Sequence, residues 1–166
     1  MQLLWAIAHG LESTSRRMRS TVGVTGPQRL VLRLIGRFGQ TAPGDLAEVL
    51  HVDPSSLTGV LRRLENAGLI RRTRDPEDGR RAILTLTPHG QVLNDRRSGT
   101  VEASVQKTLQ GVSAAKVAVA REVLDALARD LGVETDLPSR VRPVVQVRTG
   151  SSRTRPVGQG RRARRR

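Results

Sequence analysis

The sequence contains no cysteine, so disulfide bonds, thiolate metal sites and cysteine-based redox switches are excluded. Aromatic residues are nearly absent as well, because Trp5 and Phe38 are the only two. The core must therefore come from Leu, Val, Ile and Ala, which favours helices packed on helices. No apolar run approaches the ~18 residues of a membrane span, and no signal-peptide pattern opens the chain. We expect a cytoplasmic protein without a membrane partner.

Lysine is also scarce, since Lys107 and Lys116 are the only lysines among 29 basic residues. Arginine supplies the rest, and its planar guanidinium binds phosphates and guanine edges through paired hydrogen bonds. The net charge is +14, and residues 134–166 hold ten arginines against two acidic residues. Such an excess of positive charge favours a polyanionic partner such as nucleic acid.

The spacing of apolar residues predicts a first helix over residues 3–19 and a second helix that begins after Thr25. Thr25 and Gln28 form a capping-box pattern with Pro27 in the first turn, and Gly39 ends the segment. The spacing predicts these inward-facing residues on the second helix: Leu30, Val31, Leu34, Ile35 and Phe38.

Two helices joined by a very short turn come next. The segment "TAPGDLAEVL" predicts a short helix and "HVD" a turn, after which Asp53 and Pro54 begin a longer helix that ends at Gly68. This longer helix has a polar outer face and an apolar inner arc of Leu57, Val60, Leu61 and Leu64. The arrangement is typical of a helix-turn-helix.

A two-stranded hairpin is predicted after this pair of helices. The segments "LIRRTRD" and "RRAILTLT" are strand candidates, and "PEDG" between them has the Pro and Gly of a hairpin tip. A two-stranded ribbon is marginal alone, so it must pack against the preceding helices. The acids and arginines at the tip fit either a surface ion-pair cluster or a turn that holds a basic fingertip outward.

Two more helices are predicted, one from Thr87-Pro88 to about Gly111 and one from Ser113 to Gly132. The remainder, residues 134–166, is rich in Pro, Gly, Ser and Arg and is predicted to be disordered. We therefore expect one domain over residues 1–133, with a winged lobe at about residues 25–87, and an arginine-rich tail.

Residues 44–90, "GDLAEVLHVDPSSLTGVLRRLENAGLIRRTRDPEDGRRAILTLTPHG", resemble the MarR-type transcriptional regulators. The resemblance consists of a helix-turn-helix followed in order by "LE..GLI.R", "D..D.R" and "LT..G", and it covers roughly residues 3–132. It implies a mainly α fold, in which a lobe of three helices and a two-stranded wing is flanked by N- and C-terminal dimerisation helices. It also implies a homodimer on a pseudo-palindromic operator, with half-sites about 34 Å apart.

Two groups of residues are predicted to contact DNA. In the recognition helix, small polar residues allow close approach to the major groove, and arginines reach phosphates or bases: Ser55, Ser56, Thr58, Gly59, Arg62 and Arg63. The resemblance implies an Asp-x-Arg wing tip, here Asp78-Gly79-Arg80. Gly79 is expected to permit the turn, and Asp78 to orient an Arg80 side chain that enters the minor groove. Arg72 and Arg81 are expected to bind phosphates.

A small amphipathic or phenolic effector is the remaining partner that the resemblance implies, in the cleft between the dimer helices and the lobe. Four residues of the first helix are candidates for this site: Trp5, His9, Arg16 and Arg17. The three histidines lie in separate elements without acids at ligand spacing, so we expect no metal site and no cofactor. The sequence has no GxSxG, Walker A or dinucleotide motif, which argues against an enzyme.

We therefore expect a sequence-specific regulator of transcription, most simply a homodimeric repressor that a small molecule releases from its operator. Such a protein is located in the cytoplasm at the nucleoid. The alternative is an architectural nucleoid-type protein that uses the lobe and the arginine-rich tail without sequence choice. Two interpretations of the tail remain open. It adds nonspecific phosphate contacts, or it is a solvated extension without a role in binding.

Overall fold

The computed structural model describes residues 1–133, and the predicted tail of residues 134–166 lies outside the described residues. The described part has helices and one two-stranded sheet, so the prediction of a mainly α fold with a winged lobe is confirmed. The elements are α1 (Gln2–Thr21), α2 (Gly26–Phe38), α3 (Pro43–Leu50), α4 (Pro54–Asn66), β1 (Ile70–Arg74), β2 (Ala82–Leu86), α5 (Pro88–Asp95), α6 (Val101–Gln110) and α7 (Ala114–Asp130).

The core of the lobe is aliphatic and lies between α2, α3, α4 and the wing. Its central members are fully buried, which stabilises the lobe by roughly 1.5–3 kcal/mol for each side chain: Leu32, Ile35, Leu46, Leu61, Leu64 and Leu84. The predicted inner face of α2 is partly wrong, because Leu30 is 48% exposed whereas Leu32 and Arg29 are buried. The reason is that α2 packs on α1, α4, α5 and β2 together, so it buries more than one narrow stripe.

Local signals at the helix ends match the sequence well. Thr25 and Gln28 form the predicted capping box at the start of α2. Gly39, with a φ of 74°, follows the last residue of α2. Asp53 occupies the N-cap position of α4, but its side chain makes no capping hydrogen bond, so this detail of the prediction is wrong.

The start of α5 is fixed against the end of α4 by Thr87 and Gly90. The Thr87 hydroxyl donates to the carbonyl oxygen of Gly68 at 2.6 Å and accepts from the Gly90 N–H at 3.0 Å. A Cβ atom at Gly90 would lie only 1.9 Å from the Leu69 carbonyl oxygen. This contact explains why "LT..G" follows the wing, since only glycine permits so close a packing of α5 on the lobe.

The wing is an antiparallel hairpin whose base is joined to the lobe. β1 and β2 pair from Ile70 opposite Leu86 to Arg74 opposite Ala82. The Thr41 backbone also pairs with Leu84, through hydrogen bonds of 2.9 and 3.2 Å, so the segment before α3 acts as a short third strand. This bridge holds the buried Leu84 in the core and compensates for the marginal stability of an isolated hairpin.

The predicted single helix from residue 88 to about residue 111 is wrong. α5 ends at Asp95, Arg96 has an extended backbone, Gly99 has a φ of 75°, and the Thr100 side chain caps α6. We call residues 96–100 the α5–α6 corner. The corner forms because the buried Arg29 guanidinium takes the carbonyl groups that a continued helix would have used.

The terminal helices carry apolar side chains that the monomer leaves in solvent. Among the described residues neither α6 nor α7 contains a buried side chain. Large apolar residues are exposed on all three terminal helices, α1, α6 and α7: Leu3, Trp5, Ile7, Val105, Val119, Val123 and Leu124. Each helix within residues 1–133 is too short or too polar to traverse a lipid bilayer.

Replacing Gly90 with Ala should destabilise the protein, because the new methyl group would overlap the Leu69 carbonyl. Overpacking of this kind costs about 1–3 kcal/mol, which urea unfolding monitored by circular dichroism would measure. The matched control is Gly44→Ala, because nothing lies within 4 Å of a Cβ atom there. That variant should gain roughly 0.5–1 kcal/mol from helix propensity. Equal stabilities for the two variants would contradict the packing described here.

Candidate nucleic-acid interface

The outer face of α4 is available to a ligand along its whole length. The inner residues Leu57, Leu61 and Leu64 are buried, whereas the predicted contact residues are exposed, apart from a half-buried glycine: Ser55, Ser56, Thr58, Gly59, Arg62 and Arg63. A Cβ atom at Gly59 would lie 3.6 Å from a guanidinium nitrogen of Arg63. The Arg63 guanidinium therefore lies along the helix beside Gly59, at ordinary van der Waals distance from that position. A face of small polar residues and arginines suits a helix that enters the major groove.

The tip of the wing is shaped by carboxylates that bind the backbone. Asp75 accepts a hydrogen bond from the Glu77 N–H at 2.9 Å, and Asp78 accepts one from the Arg80 N–H at 3.0 Å. Asp78 contacts Arg80 through the Arg80 backbone N–H, and the expectation that it orients the Arg80 side chain stays a prediction. Gly79 does not have a positive φ, and the turn is closed by these Asp–backbone bonds together with the hydrogen bond from the Arg81 N–H to the Asp78 carbonyl oxygen at 2.8 Å.

Arg80 is exposed at this tip. Among residues 1–133, none of the ion pairs involves its guanidinium. The surface ion-pair cluster that the sequence allowed at the tip does not form around Arg80. An exposed guanidinium at the tip of a hairpin is suited to a narrow minor groove, where the negative potential is enhanced.

Arg72 and Arg81 are held by carboxylates of the two helices of the helix-turn-helix. The Arg72 Nε donates to Glu65 of α4 at 2.9 Å, and an Arg81 Nη lies 3.8 Å from Asp45 of α3. Such partly exposed pairs contribute only about 0–1 kcal/mol to stability. Their main effect is geometric, because they brace the wing against α3 and α4 and leave further N–H groups of each guanidinium for phosphate.

Sequence reasoning did not include two exposed arginines of β1, Arg71 and Arg74. Side chains alternate along a strand, so Arg74 lies on the same face of the hairpin as Arg72, and Arg71 lies on the opposite face. Counting this alternation from the buried Ile70 would have identified Arg74 as a companion of Arg72. The described face therefore carries more positive charge than the predicted contact set.

A cleft of about 1000 Å³ lies behind the recognition helix and is lined by α1, α2, α3, α4, α5 and α6. Its apolar walls include Leu34, Leu50 and the inner side of α4 at Leu57 and Val60. Charged groups from α1, α2 and the corner region also line it: Glu12, Arg33, Arg37, Asp95, Arg97 and Glu102. Apolar walls with a few polar groups are characteristic of small-molecule sites.

The electrostatics of this cleft centre on Arg33 and Glu102, which lie 3.7 Å apart. Burial, followed by the charges of Arg97 and Arg29, lowers the pKa of Arg33 from its ordinary value. Burial raises the pKa of Glu102, but its backbone hydrogen bond and the contact with Arg29 outweigh this and hold the pKa below 4.5. The hydrogen bond from Arg29 thus favours the carboxylate form of Glu102.

The predicted effector residues do not line this cleft. Trp5 is 72% exposed on α1, and His9 lies one turn further along the same helix. Arg16 pairs with Glu12 at 2.8 Å, and Arg17 donates to a threonine of α1. The residues that α1 contributes to the cleft are instead Leu11, Glu12, Ser15 and Met18. Within residues 1–133 no cluster of His, Asp or Glu has the arrangement of a metal site.

Comparisons with known proteins agree with this geometry. The profile of one family, described as the MarR family, matches residues 24–82. The HTH-type transcriptional regulator FarR of Neisseria gonorrhoeae is 30% identical over 114 residues, which cover 69% of this chain and 78% of FarR. The crystal structure of the PcaV transcriptional regulator from Streptomyces coelicolor in complex with its natural ligand has a TM-score of 0.65, at 26% identity, and the match covers 78% of this chain and 91% of that chain. A mutant MarR from E. coli complexed with operator DNA has a TM-score of 0.64, at 25% identity, with 76% and 91% covered.

Replacing Arg80 with Ala should weaken binding to a duplex that the wild-type protein selects, by about 1–3 kcal/mol. The wing would also lose its preference for A·T-rich flanking sequence, because a narrow minor groove attracts the guanidinium. Fluorescence anisotropy on duplexes with A·T-rich and G·C-rich flanks measures both effects. The control is Arg19→Ala, which removes the same charge from an exposed position at the end of α1. If both variants behaved alike, the wing tip would have no specific role.

Proposed function

The chain belongs to the MarR family, and from this premise we propose that it is a sequence-specific transcriptional regulator that binds double-stranded DNA as a homodimer. The observation that carries the proposal is the pairing of an exposed polar α4 face with an Arg80 fingertip that no carboxylate of residues 1–133 neutralises. The Glu65–Arg72 contact places β1 beside α4, so helix and wing are presented together. Such a protein acts at the nucleoid in the cytoplasm, and the proposal gives it no catalytic role.

The dimer is supported by the apolar surface of the terminal helices. α7 is 17 residues long and buries none of them in the monomer, although Val119, Val123 and Leu124 are each more than half exposed. Contiguous apolar surface of this kind marks an interface in soluble proteins. A second copy of the chain covers it by two-fold symmetry, and the two lobes then contact successive major grooves of one face of the duplex.

Control by a small molecule is supported by the cleft behind α4. Its inner wall is the buried side of the recognition helix, so a ligand in the cleft contacts the element that reads DNA. Arg33, Arg37 and Arg97 offer charge-assisted hydrogen bonds to an anion, while the leucines and valines bind an apolar ring. We therefore propose an amphipathic anion as effector, which releases the operator by favouring a lobe arrangement that does not match the half-sites. PcaV, solved with its natural ligand, is a structural relative in which a small molecule binds.

Selection of bound duplexes from a random pool, with the purified full-length protein, tests the DNA-binding proposal. The expected result is a two-fold-symmetric motif with half-sites about one helical turn apart, bound by two chains for each duplex. The preference over random duplex should be about 10³-fold or more at physiological salt. An architectural protein would instead enrich no motif, and that outcome would remove the regulator from consideration.

Replacing Arg97 with Gln should make operator binding less sensitive to benzoate, used as a simple amphipathic anion. Loss of one charge-assisted hydrogen bond, about 1.5–3 kcal/mol, should raise the benzoate concentration for half-release by roughly tenfold or more. Fluorescence anisotropy of a labelled operator measures that concentration. Arg19→Gln, outside the cleft, removes the same charge as a control. A larger effect from Arg16→Gln than from Arg97→Gln would place the effector site on the outer face of α1 instead.

A further inference from the structure

The α5–α6 corner is organised by one buried side chain from a different part of the chain. Arg29 of α2 is 1% exposed, and its guanidinium donates to the carbonyl oxygens of Leu93, Asn94 and Arg96. The Asn94 and Arg96 bonds are 3.1 and 2.7 Å long. Its Nε donates to Glu102 in the first turn of α6 at 3.0 Å. One planar group therefore ends α5 and fixes the start of α6.

A second set of contacts on the same side of α2 keeps α5 in place. Arg33 donates to the Asn94 side chain at 3.3 Å, and Asn94 itself is 3% exposed. A Cβ atom at Gly36 would lie 2.7 Å from the Asn94 Nδ2 atom, so the two helices are closely packed there. Arg29, Arg33 and Gly36 recur at helical spacing along one face of α2. Contacts from two successive turns of α2 therefore hold the corner in place, in addition to the hydrogen bonds of Arg29.

The buried guanidinium of Arg29 is better suited to fixing the orientation of α5 and α6 than to stabilising the fold. A buried ion pair gives up its hydration, and an apolar residue of similar volume often stabilises a core as well or better. A guanidinium differs from such a residue because its donors point in fixed directions within one plane. Here those directions meet three carbonyl groups and one carboxylate that lie on both sides of the corner. The group therefore specifies the angle at which the chain leaves α5 and enters α6.

That angle has a consequence for a dimer, because α2 belongs to the winged lobe whereas α6 and α7 are terminal helices with exposed apolar faces. The lobe includes α4, a helix of 13 residues and so about 20 Å long. A rotation of the lobe by about 10° moves one end of a helix of that length by about 3.5 Å relative to its other end, close to the roughly 3.4 Å rise of one base pair. A small change at the corner is thus enough to change the register of one lobe on DNA.

We propose that Arg29 is a positioning residue for operator recognition, which sets the separation of the two recognition helices by fixing the angle at the α5–α6 corner. This inference rests on the proposed function, since it requires two lobes on one operator. Arg29 itself touches no DNA in this arrangement. It acts through α5 and α6, and Glu102 supports it from the first turn of α6.

The test compares Arg29→Met and Arg29→Lys with the wild-type protein on three operators. These are the symmetric duplex that the wild type selects, and two versions whose half-sites are one base pair closer or one base pair further apart. We expect the wild type to prefer its own spacing by roughly tenfold or more, and both variants to bind the three duplexes within about threefold, because half-site spacing mirrors the separation of the two recognition helices. Arg19→Met is the control for loss of one charge, and it should keep the wild-type preference.

The preference among the three operator spacings distinguishes a change in the orientation of the recognition helices from a loss of protein stability. A variant that is only less stable binds all three duplexes more weakly and by the same factor, and that result would overturn the proposal. Circular dichroism and thermal melting establish that each variant is folded. If Arg29→Met does not fold, Arg29→Lys decides, because a lysine keeps the charge but does not have the planar set of donors that meets four acceptors. A folded Arg29→Lys with the wild-type spacing preference would also overturn the proposal.

Glu102→Gln gives a graded comparison. It removes the carboxylate but leaves the three backbone carbonyls that Arg29 binds, so its loss of spacing preference should be smaller than that of Arg29→Met. A larger loss would place the positioning role in Glu102 and contradict the assignment to Arg29. Failure of the proposed function is distinguishable, because in that case the wild type itself would select no symmetric motif.

Discussion

The structure depends on one buried guanidinium, that of Arg29, which joins the winged lobe to the helices that follow it. Its hydrogen bonds replace the backbone bonds that α5 would have made had it continued past Asp95. The Asn94 carbonyl is buried with its residue, so its hydrogen bond to Arg29 compensates for the loss of hydration there. The guanidinium therefore fixes α5 and the first turn of α6 on α2 of the lobe.

At the wing, in contrast to the buried Arg29, an arginine is exposed and has no acidic partner among residues 1–133. There the carboxylates of Asp75 and Asp78 bind backbone N–H groups, and so they shape the turn without neutralising the arginine beside them. Arg72 and Arg81 are held by acids of α4 and α3, whereas Arg80 is exposed at the tip and lies in none of the ion pairs of residues 1–133. An arginine that is held by an acid positions the wing, whereas an arginine without an acidic partner leaves its positive charge available to attract the duplex. Arginine thus has two roles within the wing, which are to brace it against the helices and to present positive charge at its tip.

Sequence reasoning succeeded where the signal is local and failed where it is distant. The Thr25–Gln28 capping box and the wing hairpin depend on residues close together in the chain, and both were predicted. The Arg29 contacts that hold the break after Asp95 come from more than 60 residues earlier and were not predicted, and the local signal of Gly99 followed by a capping Thr100 was overlooked. From the sequence alone, an arginine in a helix is assigned to the solvent, because the distant groups that could pair with it in the core are not known. The burial of Arg29 and the exposure of Leu30 are two results of the same tertiary packing.

The cleft and the corner share walls, and this links ligand binding to lobe position. Arg33, Asn94 and Glu102 line the cleft and also contact one another or Arg29 at the corner. A ligand shifts an equilibrium only by the difference in its affinity for the two states. Because rotation at the corner moves α5 and α6 relative to α2, it changes the distance between opposite walls of the cleft. A ligand that fits one wall separation better than another would therefore favour one angle of the lobe, because Arg33, Asn94 and Glu102 belong both to the cleft and to the contacts at the corner.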